Sequence, residues 1–483
     1  MEHSKLSEHK FKKGKFTTPW NEILKDIGVD NSWCHNRLPE YLWIGLIFDH
    51  YGREEGLQKI YQILQCMKNV DYGRILTRFS HILKLSEKEQ KILFRDILSI
   101  IPKKVLSPLT LIFTYSNYPV FATSFVEGSV EERKEVIITV LDKTMDHQSN
   151  CSTDIRFIIM YYLFIIGKLH MPKEQIDLLI KYPHLKHDDM EMRMIRPFIR
   201  SMEIGILSVE KVNNEYLNAF WERISEMTEC ELYYLEFSSD DIKTDIYMEQ
   251  VHEVYLYLSN LLVKTSPLDN KMLVLLGIAT YSYKRAKEVV EHTLFNSISG
   301  RSAVRVLVEN YIMMKYLLKN EESHEDIWTQ YQYYGIGLYK LIVARSRESE
   351  ERNTNSHVNY QYLEALVNEY KMEEFIDMET SYFDKQGIRE KAITVGEKDL
   401  YGLYYDYDSS YEHGLWGAIR ESSLIKCKNP AHQYHCVPDI EDNQKLMNVW
   451  PDCKMMLNRT IQLLDEVYGI PKQLITEEIA IEK

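Results

Sequence analysis

Apolar residues recur at three- and four-residue steps along most of this chain, the spacing of one helix face. Val136, Val140 and Leu141 form one such set. The pattern predicts helices over 55–69, 86–100, 131–147 and 154–168, separated by short breaks such as Ile101-Pro102-Lys103 and Gln148-Ser149-Asn150. Ahead of them, Thr18 can cap a helix that Pro19 opens, and Leu38-Pro39-Glu40 starts a second one apolar enough for a core. Two polar stretches, 238–241 and 264–270, flank a helix near 246–263. Long helices are expected beyond, near 270–295, 301–319, 324–345 and 357–375. A Tyr-rich segment (398–420), a loop (427–441) and a last helix near 444–467 follow. No fixed period recurs, so a regular solenoid is not expected. The expected organisation is a flexible basic tail (1–17), an N-terminal helical domain (18–265) and a C-terminal helical bundle (266–483).

Composition narrows the fold class further. Gly and Pro number 19 and 13 among 483 residues, well below the roughly 12 % usual for globular chains. A chain so poor in turn residues cannot build a sandwich, barrel or propeller, and an all-α protein is expected. The net charge is −14, which works against non-specific binding to nucleic acid but leaves room for a local basic groove. The one basic run, Lys10-Phe11-Lys12-Lys13-Gly14-Lys15, reads as a solvated tail. The longest apolar run, Phe157 to Gly167, falls short of the roughly 20 residues of a membrane span and reads as a buried helix. The N-terminus shows no leader pattern, and the seven cysteines are scattered. Both features suggest reduced thiols and a cytoplasmic location.

Candidate chemistry concentrates in the C-terminal part. Three Arg–His pairs are separated by four to six residues: Arg74 and His81, Arg285 and His292, Arg352 and His357. That spacing is the ribonuclease signature of HEPN domains, but 20 Arg and 16 His in 483 residues produce about as many by chance. Arg352 and His357 have the best context, with Asn353 directly after the Arg and a helix starting just beyond. The plain alternative is a solvated loop with a Ser or Asn cap. In the helix around 301–316, Val304, Leu307, Val308, Tyr311 and Met314 form a core stripe. Arg301, Arg305 and Glu309 lie on an adjacent, partly apolar face, so Arg305 and Glu309 are expected to be half buried, as partners of other polar groups or as an ordinary ion pair. The segment 401–413 packs five tyrosines, two serines and a histidine into thirteen residues. Ser410 and His413 are three apart and would share a helix face, where His413 could act as general acid or base or donate to a neighbouring Tyr or carboxylate.

Cys427, His432, His435 and Cys436 place four potential zinc ligands within ten residues, with Cys453 further on. They are cramped, and adjacent His435 and Cys436 would point apart, so no metal is expected. His187-Asp188-Asp189 has no second set to complete a metal dyad and reads as a helix start. No phosphate loop, nucleophile elbow or dinucleotide fingerprint occurs, and no cofactor is expected.

Three motifs in order carry a resemblance over roughly 270–440. They are Arg305-x-x-x-Glu309; Ser410-x-x-His413-Gly414-x-Trp416-Gly417-Ala418-x-Arg420-Glu421-Ser422-Ser423; and Asn429-Pro430-x-His432-x-Tyr434-His435-x-Val437-Pro438. Together they resemble a bacterial family catalogued as a domain of unknown function, whose members are expected to be all-helical and similar to HEPN domains. The resemblance implies a polar cluster of Arg305, Glu309 and His413, with Tyr405, His432 and His435 near by. Cys436 departs from the family pattern, which weighs further against zinc. Two function classes follow. One is a HEPN-like sensor, scaffold or ligand-binding module of a bacterial defence or stress system, with RNA, a nucleotide or a partner protein as ligand. The other is a metal-independent ribonuclease, with Arg305, Glu309, His413 and Ser410 (or Arg352 and His357) at its centre. There a His would be the general base for the ribose 2′-hydroxyl, and an Arg would stabilise charge on the phosphate. The resemblance also implies a homodimer.

Overall fold

The computed structural model describes residues 4–24, 37–69, 76–209, 214–237, 244–348, 356–369, 371–378, 383–432 and 435–479. The protein is all-α, as its composition requires. Among the described residues its few strands are short, in one two-stranded and one three-stranded sheet. The chain forms two compact units, the first of 1–233 with 426–437, the second of 234–425 with 438–483. The helix expected near 246–263, placed with the first domain by its position before the 264–270 stretch, packs in the core of the second unit.

The first unit begins with an exposed hairpin of β1 (Lys10–Lys12) and β2 (Lys15–Thr17), within the segment expected to be a flexible tail. Its turn residues Lys13 and Gly14 both take positive φ, the geometry that lets a two-residue turn follow the strand twist. Thr18 Oγ1 then accepts from Asn21 N and caps α1 (Pro19–Leu24). Next come α2 (Glu40–Lys68), α3 (Glu87–Ile100), α4 (Lys103–Leu106), α5 (Pro119–Phe125), α6 (Val130–Met145) and α7 (Asn150–Ile165). The unit's helices end with α8 (Lys173–Lys181), α9 (Met192–Val209) and α10 (Asn214–Ser225). The helix expected from Leu38 and the one expected over 55–69 are the two halves of α2, broken where Gly52 adopts a φ of 71°. Ser86 with Glu89 and Ser129 with Glu132 form reciprocal capping boxes that fix the starts of α3 and α6. The apolar run 157–167 lies mostly in α7, whose residues 152–160 are all buried. Among the described residues no helix is long and apolar enough to cross a membrane.

Beneath α7 sits a buried polar knot. Asp154 Oδ1 accepts from Arg53 Nε at 3.0 Å and from the Tyr182 hydroxyl at 2.7 Å, and Oδ2 lies 3.1 Å from His187 Nε2. His187, read from the sequence as the prelude to a helix, does precede α9, but its ring is spent on Asp154.

After α10 the chain enters β3 (Leu232–Tyr233), which pairs antiparallel with β4 (Leu424–Cys427) at Leu232–Cys427 and Tyr233–Lys426. β5 (Cys436–Pro438) completes this sheet.

The second unit holds α11 (Asp245–Leu262), α12 (Asn270–Glu291), α13 (Ile298–Asn320), α14 (Ile327–Glu348) and α15 (Tyr360–Val367). It continues with α16 (Ile388–Thr394), α17 (Lys398–Leu400), α18 (Asp406–Glu412), α19 (Trp416–Ser422) and α20 (Trp450–Tyr468). Helix α13 is its spine. The predicted stripe of Val304, Leu307, Val308, Tyr311 and Met314 is buried in a core shared with α11, α12 and α20. Asp269 and Ser297 cap α12 and α13 through the N–H groups of Met272 and Gly300.

Candidate functional site

The face of α13 beside its core stripe carries Arg301, Arg305 and Glu309, and the Tyr-rich segment lies against it. Arg305 is half buried. Its Nε donates to Ser409 Oγ at 3.0 Å, its Nη2 donates to the Tyr405 hydroxyl at 2.8 Å, and Glu309 Oε2 lies 3.6 Å away. The guanidinium carbon sits 4.6 Å from the Tyr405 ring centroid, a stacked cation–π arrangement. Burial pushes the Tyr405 phenol up, Glu309 adds to that, and Arg305 opposes it.

The geometry depends on a local irregularity. Residues 401–405 form a π turn between α17 and α18, and a wide turn of this kind shifts the register of everything after it. Tyr405 and Ser409, four apart, thereby share the face toward Arg305. Ser410 instead returns its hydroxyl to Tyr407 O at 2.6 Å. His413 closes α18 and is exposed, and among the described residues its ring makes no hydrogen bond or ion pair.

One turn earlier on α13, Arg301 is 5 % exposed. It donates from Nη2 to Met447 O at 2.8 Å and lies over the rings of Tyr407 and Tyr411. Two carboxyls face it. Burial raises Asp408 to about 7, Arg301 counters this and Asp452 reinforces it. Asp452 is raised as well, again by burial. Asp408 was not singled out in the sequence reading. An acidic residue inside a Tyr-rich stretch reads as solvated until the neighbouring helix is in place.

Of the residues singled out from the sequence, Arg305, Glu309 and Tyr405 come together, with Ser409 in place of Ser410. His432 and His435 belong to the first unit, where His432 faces Cys230 and Cys427. His357 is exposed in the loop before α15, which Asn359 caps through Tyr362 N at 3.0 Å. Arg352, like Arg74, lies outside the described residues. The Arg305 cluster is thus a polar seam in which the arginine's Nε and Nη2 already serve the chain's own oxygens.

A separate cavity of about 390 Å3 opens in the second unit, lined among others by Tyr333, Tyr334, Lys371, Phe375, Phe383 and Lys385. Lys371 Nζ stands 5.5 Å from the Tyr333 ring centroid, and Phe383 packs edge-on against Tyr331. Asp384 on the wall accepts a hydrogen bond from Tyr316 of α13. Asp384 and Lys385 both take positive φ, 59° and 56°, a conformation that costs non-glycine residues energy and gathers at functional sites. The sequence does not show this cavity because its rings come from α14 and from residues beyond Val367, where the helix expected to run to 375 has already ended.

The fold and site thus define an all-helical protein whose second unit pairs a polar Arg–Tyr seam with an aromatic, lysine-flanked cavity. Residues 273–432, about a third of the chain, match the model of a family described as a family of unknown function (DUF5677), so this part is similar to an uncharacterised domain family. No curated protein and no solved structure matches the chain.

Proposed function

We propose that the protein is a ligand-binding module of HEPN-like helical type, acting as a sensor or scaffold in a bacterial defence or stress system, and that its ligand is a nucleotide or a short stretch of RNA held in the cavity of the second unit. The HEPN-like, bacterial and defence parts of this reading come from the motif resemblance around Arg305, His413 and His432. The binding part rests on the cavity. Rings of Tyr333 and Tyr334 can stack a base, and Lys371 and Lys385 of the lining can meet phosphate. The volume is within the range of small-molecule sites. Against a ribonuclease centre stands the Arg305 geometry. A guanidinium that serves Ser409 and Tyr405, stacks on Tyr405 and pairs with Glu309 must break those contacts before it can stabilise a phosphate.

The test measures binding of mono-, cyclic and short oligonucleotides to the full chain and to its Lys371→Ala and Lys385→Ala variants. The reading requires nucleotide binding that weakens at least about tenfold in each variant, the loss of one charge-assisted contact. Absence of nucleotide binding refutes it. In parallel, total cellular RNA is incubated with the protein and a chelator and should stay intact. Cleavage lost in His413→Ala would install the ribonuclease reading instead, and cleavage lost only in His357→Ala would move the centre to the loop before α15.

A further inference from the structure

A second cluster of chemistry-bearing side chains lies in the first unit, and neither the seam nor the cavity uses it. Cys230, Cys427 and His432 present their ligand atoms within 4.8 Å of one another. Cys230 and Cys427 are both free thiols. His432 Nδ1 is 3.5 Å from Cys230 Sγ and 3.5 Å from Cys427 Sγ. A tetrahedral zinc, with Zn–S of about 2.3 Å and Zn–N of about 2.0 Å, sets sulfur–nitrogen edges of about 3.5 Å. We infer that Cys230, Cys427 and His432 form a binding site for zinc or a closely similar thiophilic divalent cation.

The surroundings are arranged as a ligand set requires. His432 Nε2 lies 3.2 Å from Thr228 O and 2.9 Å from its hydroxyl. A carbonyl only accepts, so the Nε2 carries the hydrogen and the Nδ1 lone pair is left facing the two sulfurs. This outer contact sets both the tautomer and the orientation of a metal-binding imidazole. The Cys427 sulfur accepts the backbone N–H of Glu231 at 3.3 Å, a donor that stabilises thiolate charge.

The backbone holds the ligands before any metal arrives. β3 pairs with β4 beside Cys427, Lys428 N donates to Glu231 O, and Asn429 Nδ2 donates to Glu229 O, both at 2.9 Å. His432 ends a single 3-10 turn, Pro430–His432, anchored by buried Ala431. Two thiolates neutralise a divalent cation, and sulfur with imidazole nitrogen selects zinc over magnesium or calcium. Cys427 is buried while Cys230 is exposed, so the fourth position opens toward solvent and takes water. The ion would clasp the returning segment 426–437 to the stretch 228–233, joining residues some 202 positions apart in sequence.

The experiment uses the full chain. Protein from zinc-supplemented growth is assayed for metal by elemental mass spectrometry. Metal-free protein is then titrated with Zn2+ against a chromophoric chelator, and with Co2+ to read sulfur-to-metal charge transfer and tetrahedral d–d bands. Stoichiometric zinc and both cobalt signatures are expected. Cys230→Ser changes an exposed residue and preserves folding, so it separates ligand loss from misfolding. It and His432→Gln should each weaken zinc more than about 100-fold. Cys436→Ser should leave binding unchanged. Failure of the wild type to take up zinc overturns the assignment. So does wild-type affinity in Cys230→Ser or His432→Gln, loss of binding in Cys436→Ser, or a Cys230–Cys427 disulfide found by mass spectrometry in reductant-treated protein.

Discussion

Asp408 offers a sharp test of how the seam is built. It is 3 % exposed and titrates near 7, because burial outweighs the attraction of Arg301 on α13 while Asp452 on α20 adds repulsion. Its ordinary value is 3.8. Between those two values the native state keeps a proton that the unfolded chain has released. Stability from this group is therefore fully present below about pH 3.8, falls as pH rises, and is lost above pH 7. A shift of about three units, at about 1.36 kcal/mol each, amounts to roughly 4 kcal/mol. Asp408→Asn keeps the shape and removes the titration. At pH 5 the native wild type keeps its proton while its unfolded chain has released it, so the variant is already ahead by roughly 1.6 kcal/mol. At pH 8 the wild type buries an ionised carboxylate, and the variant's advantage should have grown by about 2–3 kcal/mol relative to pH 5. For a unit of this size that is about 4–12 °C in the melting temperature. Scanning calorimetry of both proteins at pH 5 and pH 8 reads the second unit's transition directly. A wild-type-minus-variant difference that is the same at both pH values, or a variant less stable at pH 8, refutes the argument that Asp408 is held protonated by its burial.

Two further perturbations probe the first unit and the cavity rim. Asp154→Ala strands the donors of Arg53, Tyr182 and His187 in the interior. Urea unfolding should show the first unit destabilised by about 3–5 kcal/mol, the cost of breaking a buried charged cluster from one side; a loss below about 1 kcal/mol would mean that water reaches the knot. Gly337 on α14 lets the 376–378 stretch approach closely, since an added Cβ would stand 2.7 Å from Asp377 O. Gly337→Ala should displace that wall, destabilise the unit by about 1–3 kcal/mol and weaken nucleotide binding, while Gly335→Ala, with open space around it, should do neither.

Much of the helical layout was legible because α3, α6, α7, α12 and α13 have apolar stripes and side-chain caps at their starts, both of which are local signals. The half-buried Arg305–Glu309 pair was legible for the same reason, since its face could be read from helix period alone. The partners of that pair were not. Spacing on an ideal helix favoured Ser410 with His413, but the π turn at 401–405 rotates the segment and brings Ser409 and Tyr405 to the arginine instead. The long helix expected over 357–375 stops at Val367, and the chain beyond it turns to build the cavity wall. In the Cys/His stretch of 427–436 the ligands are crowded, and Cys453 lies too far along the chain to relieve that from sequence alone. Cys230 supplies the third ligand through a strand pairing that leaves no periodic trace.

Helix α13 ties the seam to the cavity. Its first half carries Arg301 and Arg305 into the Tyr-rich turns, and its second half carries Tyr316, whose hydroxyl holds Asp384 on the cavity wall. Tyr316 also forms part of the pocket around Lys391, which is fully buried, with its Nζ 3.9 Å from the Tyr316 ring centroid and 5.2 Å from that of Phe383. Burial lowers this lysine to about 8, although Asp384 and Glu390 oppose the shift. Displacing Asp384 from the wall would remove one of those opposing carboxylates and make the buried ammonium harder to keep charged. The cavity wall and the helix that organises the seam are thus joined through one tyrosine and one carboxylate. In the proposed sensor reading, a change of cavity occupancy would reach α13 along this one contact.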